Sequence, residues 1–102
     1  MSAIVQIHFK HNMPEDDLAA GALDWATNVK STIAGLQWKM FLNNPDTKES
    51  TGIYLFDSIE SAEAYAESDM VRAMKQSPDR SDITVRVSTV MEAASIAAGA
   101  PL

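Results

Sequence analysis

The polar members of four predicted strands are the residues best suited to chemistry: Gln6 and His8, Lys39, Tyr54, and Thr84 with Arg86. Strand side chains alternate between faces, so these share one sheet face if each strand turns its more apolar half toward the helices. Histidine is the side chain best suited to general-base work at physiological pH, which makes His8 the candidate base. Arg86 or Lys39 could hold the anion that proton abstraction creates, and Tyr54 could donate a hydrogen bond to a developing oxyanion. The catalytic candidates are therefore His8, Tyr54 and Arg86. Trp38 and Phe56 offer stacking surface for a flat ring, and with Gln6, Lys39 and Tyr65 they form the candidate substrate-binding set. Each residue also has a plainer role open to it. His8 suits a buried or inter-subunit contact, Lys39 and Arg86 can snorkel or pair with carboxylates, and both tyrosines fit an aromatic core.

Other chemistries are excluded or disfavoured. The 102 residues contain no cysteine, which rules out disulfides, thiolate metal sites and a cysteine nucleophile. No G-x-G-x-x-G, P-loop or G-x-S-x-G motif is present. His8 and His11 are three apart, and an extended strand sends them to opposite faces, so a shared metal is not expected. Glu15, Asp16 and Asp17 suit the positive end of a helix dipole. The formal net charge of -6 repels phosphate backbones, so nucleic acid is not an expected partner. Neither a leader-like start nor a long apolar run occurs, and the expectation is a cytoplasmic chain without membrane contact.

The elements that must position these side chains follow from periodicity. Ile4 to Phe9 is a β-branched and aromatic strand, with Val5, Ile7 and Phe9 on one face. Leu18, Ala22, Trp25, Ala26, Val29 and Ile33 recur at helical spacing between Pro14 and Gly35, predicting one amphipathic helix. Leu36 to Leu42 is a second strand, residues 43–50 a long hairpin loop, and Thr51 to Phe56 a third strand. Asp57 and Glu60 make a capping-box-like start to a second helix that bends at Ser68-Asp69 and ends by Pro78. Ile83 to Val90 is the fourth strand. Residues 1–90 thus form a single α+β domain, and 91–102 an alanine-rich tail.

Strand, helix, strand, strand, helix, strand with right-handed crossovers gives a ferredoxin-like βαββαβ fold, with a four-stranded antiparallel sheet and both helices on one face. If each strand's most apolar set faces the helices, Ile4, Phe41, Tyr54, Phe56 and Val90 lie on the other face. That is more apolar surface than a monomer usually exposes, and a second copy of the sheet is the expected cover.

Ile7-His8-Phe9, Gly35-Leu36-Gln37-Trp38-Lys39, Gly52-Ile53-Tyr54-Leu55-Phe56, Ser61-Ala62 and Ala64-Tyr65 resemble the YdhR-like monooxygenase family over residues 4–90. The resemblance implies a homodimeric α+β barrel in which two sheets pack face to face. It also implies kinship with antibiotic-biosynthesis-type monooxygenases, some of which oxidise anthrones or quinols with dioxygen and neither metal nor flavin. The expected function is a cofactor-independent monooxygenase acting on a small aromatic or quinol-like molecule. A non-catalytic dimeric ligand-binding or interaction protein, and an isomerase or lyase on the same barrel, stay open as alternatives.

Overall fold

The computed structural model describes residues 1–102. Strand β1 (Ala3–His11) leads into helix α1 (Glu15–Asp24), followed by β2 (Leu36–Asn44), β3 (Glu49–Phe56), α2 (Ile59–Ala66), α3 (Asp69–Lys75), β4 (Arg80–Thr89) and α4 (Glu92–Ala97). The sheet order is β2-β3-β1-β4, antiparallel throughout, which is the predicted ferredoxin-like α+β arrangement. No helix is long and apolar enough to cross a membrane.

Pro14 opens α1 with Glu15, Asp16 and Asp17 in its first turn, as the dipole argument requires. The helix does not continue regularly to Gly35. It widens into a π-helical stretch at Trp25–Val29 and tightens into a 3-10 turn at Lys30–Thr32. The Thr27 hydroxyl donates to the Leu23 carbonyl at 2.8 Å, the back-bonding by which such side chains bend helices. Gly35 then turns the chain at φ +79°. A Cβ there would sit 2.5 Å from Ser61 Oγ and 2.6 Å from Asp57 Oδ1, so the start of α2 packs directly on it. The cap of α2 is Ser58, whose Oγ accepts from Ser61 N at 3.1 Å, one residue later than the expected Asp57. Ser68 caps α3 in the same way, which is where the bend was predicted. The hairpin between β2 and β3 is tighter than expected, with Pro45–Lys48 alone making the turn.

Ala3, Val5, Ile7, Phe9, Tyr54 and Phe56 face the helices and pack on Ala62, Tyr65 and Val71. The first strand's parity is as predicted. That of β2 and β3 is not. Phe41, Tyr54 and Phe56 belong to the helix side, and of the five residues expected on the far face Ile4 is the strand residue found there. In β3 four consecutive apolar residues leave the parity open, and in β2 a register shift sets it. In β2, Leu36 pairs with Phe56 but Trp38 pairs with Leu55, so Gln37 is an extra residue. Leu36 is in the core, Trp38, Met40 and Leu42 turn to the open face, and Lys39 and Phe41 turn inward. In β4, His8 pairs with Thr84 but Lys10 with Ser81, and Asp82 takes the left-handed φ of 52° that a bulge favours. That shift turns Arg80, opposite His11, to the helix side.

The tail folds back onto the sheet. Val90 N donates to the Ser2 carbonyl at 2.9 Å, and Trp38 Nε1 donates to the Pro101 carbonyl at 2.7 Å, tying the chain end to the open face. Met40 and Leu42 on that face remain 47% exposed each.

Candidate active site

Between the helix-side face of the sheet and α1 lies a cavity of about 300 Å³. Its walls are Phe9 from β1, Met13, Leu18 and Ala22 around α1, Trp25 from the π-helical stretch, Phe41 from β2, Tyr54 from β3 and Met74 from α3. A π-helical turn is a common device at functional sites, and here it carries Trp25. The Trp25 ring meets Phe41 and Tyr54 edge-on, at 5.8 Å from each. Behind them Tyr65 packs on Tyr54 at 5.0 Å and on Phe56 at 5.5 Å. A larger depression of about 560 Å³ near Thr32, Tyr65 and Met70 lies more open to solvent and has no cation in its lining.

Two cations line the aromatic cavity. Lys39 Nζ lies 4.0 Å from the Trp25 ring centre, 3.9 Å from Phe41 and 4.5 Å from Tyr54. It forms no ion pair. Burial, and secondarily the charge of Arg80, pulls its pKa from an ordinary 10.5 down to about 7. The Arg80 guanidinium lies 5.1 Å from the Phe9 ring centre and reaches Ser77 Oγ at 3.4 Å, while its buried Nε has no acceptor. Burial, reinforced by Tyr65, pushes the Tyr54 hydroxyl far above its usual range, so Tyr54 is a donor and never a base here. Burial also raises Tyr65, whose hydroxyl donates to Met70 Sδ at 3.8 Å.

Asn43 holds Glu15 at the edge of the cavity. Its amide nitrogen donates to Glu15 Oε2 at 2.8 Å, and its Oδ1 accepts from Ser50 Oγ at 2.8 Å and His11 Nε2 at 3.3 Å. Because His11 Nδ1 accepts from Met13 N, the proton of this ring resides on Nε2. Gly52 forms the floor: a Cβ there would come within 2.8 Å of Tyr54 Cε1 and 3.0 Å of Lys39 Cε.

The face shared in the sequence reading by Gln6, His8, Lys39, Tyr54, Thr84 and Arg86 is therefore split between the two sides of the sheet. Lys39 and Tyr54 line the cavity, with Phe56 and Tyr65 as packing behind it. Gln6, His8, Thr84, Arg86 and Trp38 lie on the open face. There His8 Nε2 is 2.8 Å from Glu49 Oε2 and Nδ1 is 2.8 Å from Thr51 Oγ1. The His8 hydrogen bond is the first reason that the Glu49 carboxyl is held below its usual range. His8 and His11 do occupy opposite faces, as their spacing requires. Sequence reasoning missed Arg80, because its orientation depends on the bulge at Asp82, and read Trp25 only as part of a helix's apolar stripe.

Comparison with known proteins agrees with the fold and names the family. The family described as "Putative mono-oxygenase ydhR" matches residues 4–101, so the match includes the tail. No functionally curated protein matches the chain. Protein SO0527 from Shewanella oneidensis has a similar structure at TM-score 0.62 and 13% identity, over 87% of this chain and 90% of that one. Rv0793 from Mycobacterium tuberculosis is similar at TM-score 0.62 and 17% identity, over 90% and 97%. A Bacillus cereus protein described as a "Putative Antibiotic Biosynthesis Monooxygenase" is similar at TM-score 0.61 and 12% identity, over 89% and 94%. These likenesses are of fold, while the family match spans nearly the whole sequence: the chain belongs to the YdhR mono-oxygenase family.

Proposed function

We propose that the protein is a monooxygenase that oxidises a small, flat, electron-rich aromatic or quinol-like molecule in the helix-side cavity, using dioxygen without a metal or flavin. The observation that carries this reading is the ring-walled cavity of Trp25, Phe41 and Tyr54 with an amine against its walls. Its volume of about 300 Å³ suits one small ring system. In an anthrone-type substrate an enolisable methylene, or the hydroxyl of its enol, gives up a proton, and the resulting anion passes one electron to dioxygen. Recombination of the radical pair forms a peroxide, which loses water. In total one methylene and one dioxygen become one carbonyl and one water, so one oxygen atom enters the product and the other leaves as water. Apolar walls suit this sequence because they shield the anion and the peroxide from solvent. The Tyr54 hydroxyl, held protonated, is a donor for the developing oxyanion.

Oxygen uptake with a panel of anthrones and dihydroquinones tests the proposal. Wild type is expected to consume oxygen, and Trp25→Ala to lose most of that activity. No uptake with any of the panel, or undiminished uptake in the variant, refutes it. The open face, with Met40, Leu42, Ile53 and Ile4, supports a homodimer formed by two such faces. Light scattering at micromolar concentration is expected to give twice the chain mass, and a monomer would contradict it.

A further inference from the structure

We infer that the substrate enters the cavity as an acidic phenol or enol, that Lys39 accepts its proton, and that the oxyanion so formed rests against Arg80. This rests on the reading of the cavity as the substrate site and adds the substrate's acidic group and the residue that deprotonates it.

Geometry carries the assignment. Lys39 Nζ is enclosed by three ring faces and has no carboxylate partner. Arg80 lines the same cavity with a buried Nε–H that no protein atom accepts. In a chain with 14 acidic and 8 basic residues, two cations lacking a carboxylate in one cavity are an unfilled half of an interaction. The groups facing Lys39 from the surrounding elements point the same way. Tyr54 from β3 is neutral, and Arg80 from β4 is cationic. Glu15 from α1 is engaged by Asn43, and Asp17 lies at the rim. Burial and the neighbouring guanidinium leave a large fraction of the amine neutral near pH 7, with a lone pair free to take a proton. An arginine stays protonated at any such pH, so the two residues divide the work: the neutral amine accepts the proton, and the guanidinium holds the charge.

The step balances simply. The substrate O–H bond breaks, its proton forms a bond to Lys39 Nζ, and the electron pair stays on oxygen as a phenolate. No electron leaves the substrate until dioxygen arrives, so the step can be observed without turnover.

The test is an anaerobic titration of the protein into 4-nitrophenol, whose phenolate absorbs at longer wavelength than the phenol, across a pH range on both sides of about 7, so that the ligand's ionisation is read where the Lys39 amine is neutral as well as where it is charged. The expected result is that bound ligand shows the phenolate band, its ionisation shifted by about tenfold or more, as a desolvated cation at contact produces. Lys39→Met and Arg80→Met, tested separately, are each expected to remove most of that shift. The methyl ether, 4-nitroanisole, has no proton to give and is expected to bind more weakly to wild type. The inference is overturned if bound nitrophenol stays neutral, if it does not bind, or if the band persists unchanged in Lys39→Met. Oxygen uptake reads the enzymatic proposal separately. A Lys39-dependent phenolate band without uptake on the substrate panel supports this inference while refuting the oxygenase. Uptake without the band does the reverse.

Discussion

Replacing Lys39 by methionine keeps the length of the side chain and removes its charge. The native amine titrates at about 7 instead of 10.5, chiefly because it is buried. At about 1.4 kcal/mol per tenfold change in protonation, keeping the ammonium inside costs up to about 5 kcal/mol. Contacts with three ring faces return roughly 1–2 kcal/mol, and partial solvent access softens the remainder. About 2 kcal/mol is then available for methionine to recover. The sign of the pH dependence is fixed by linkage. Between the folded pKa of about 7 and the unfolded 10.5, the unfolded chain holds a proton that the folded chain lacks, so wild-type stability rises with pH across that window. Below it the penalty is fully present; above it the penalty is gone. Thermal unfolding at fixed protein concentration is therefore expected to give Lys39→Met a midpoint about 8–16 °C above wild type near pH 6, shrinking toward zero by about pH 10. Oxygen uptake is expected to fall in the same variant, a stabilising change that costs function. Equal midpoints at both pH values, or a wild type more stable than the variant near pH 6, would refute the claim that Lys39 is desolvated.

Other variants probe the remaining geometry. Tyr54→Phe keeps the core aromatic and removes the donor, so stability is expected within about 1 kcal/mol of wild type while oxygen uptake drops at least about tenfold. His8→Ala lies on the opposite face and is expected to leave steady-state uptake within about twofold of wild type, the scale of a change of about 0.4 kcal/mol in the barrier. Gly52→Ala forces a methyl against Tyr54 and Lys39, which is expected to cost about 1–3 kcal/mol in urea unfolding and to weaken nitrophenol binding.

The β1 pattern, the α1 start at Pro14 and the Ser68 break were legible because each is a local rule: alternation, a dipole, a cap. The ferredoxin-like topology followed from element order, and the quoted motifs pointed to the family. The site was only half legible. Lys39 and Tyr54 were found as residue types but placed on the wrong side of the sheet, in company with His8 and Arg86. Parity arguments assume an unbroken period of two, and Leu36-Gln37-Trp38 breaks it without a glycine or proline to mark the place. Ile53-Tyr54-Leu55-Phe56 is apolar at every position, so its own pattern could not decide which half faced inward. Arg80 was invisible for a related reason, since β4 begins three residues before the apolar alternation that identified it.

The two bulges have a consequence for how relatives are compared. A substitution alters what a position carries, whereas Gln37 and Asp82 decide which side of the sheet the neighbouring positions occupy. Without the residue at 37, either Leu36 would leave the core or Lys39 would leave the cavity, although neither had changed. A lysine aligned with Lys39, or an arginine aligned with Arg80, is therefore a cavity cation only in a chain that also keeps the extra residue. At identities of 12–17%, alignment gaps of one residue in β2 and β4 are the places to look for divergence of chemistry within this fold. Insertion and deletion, more than replacement, set the reach of its active site.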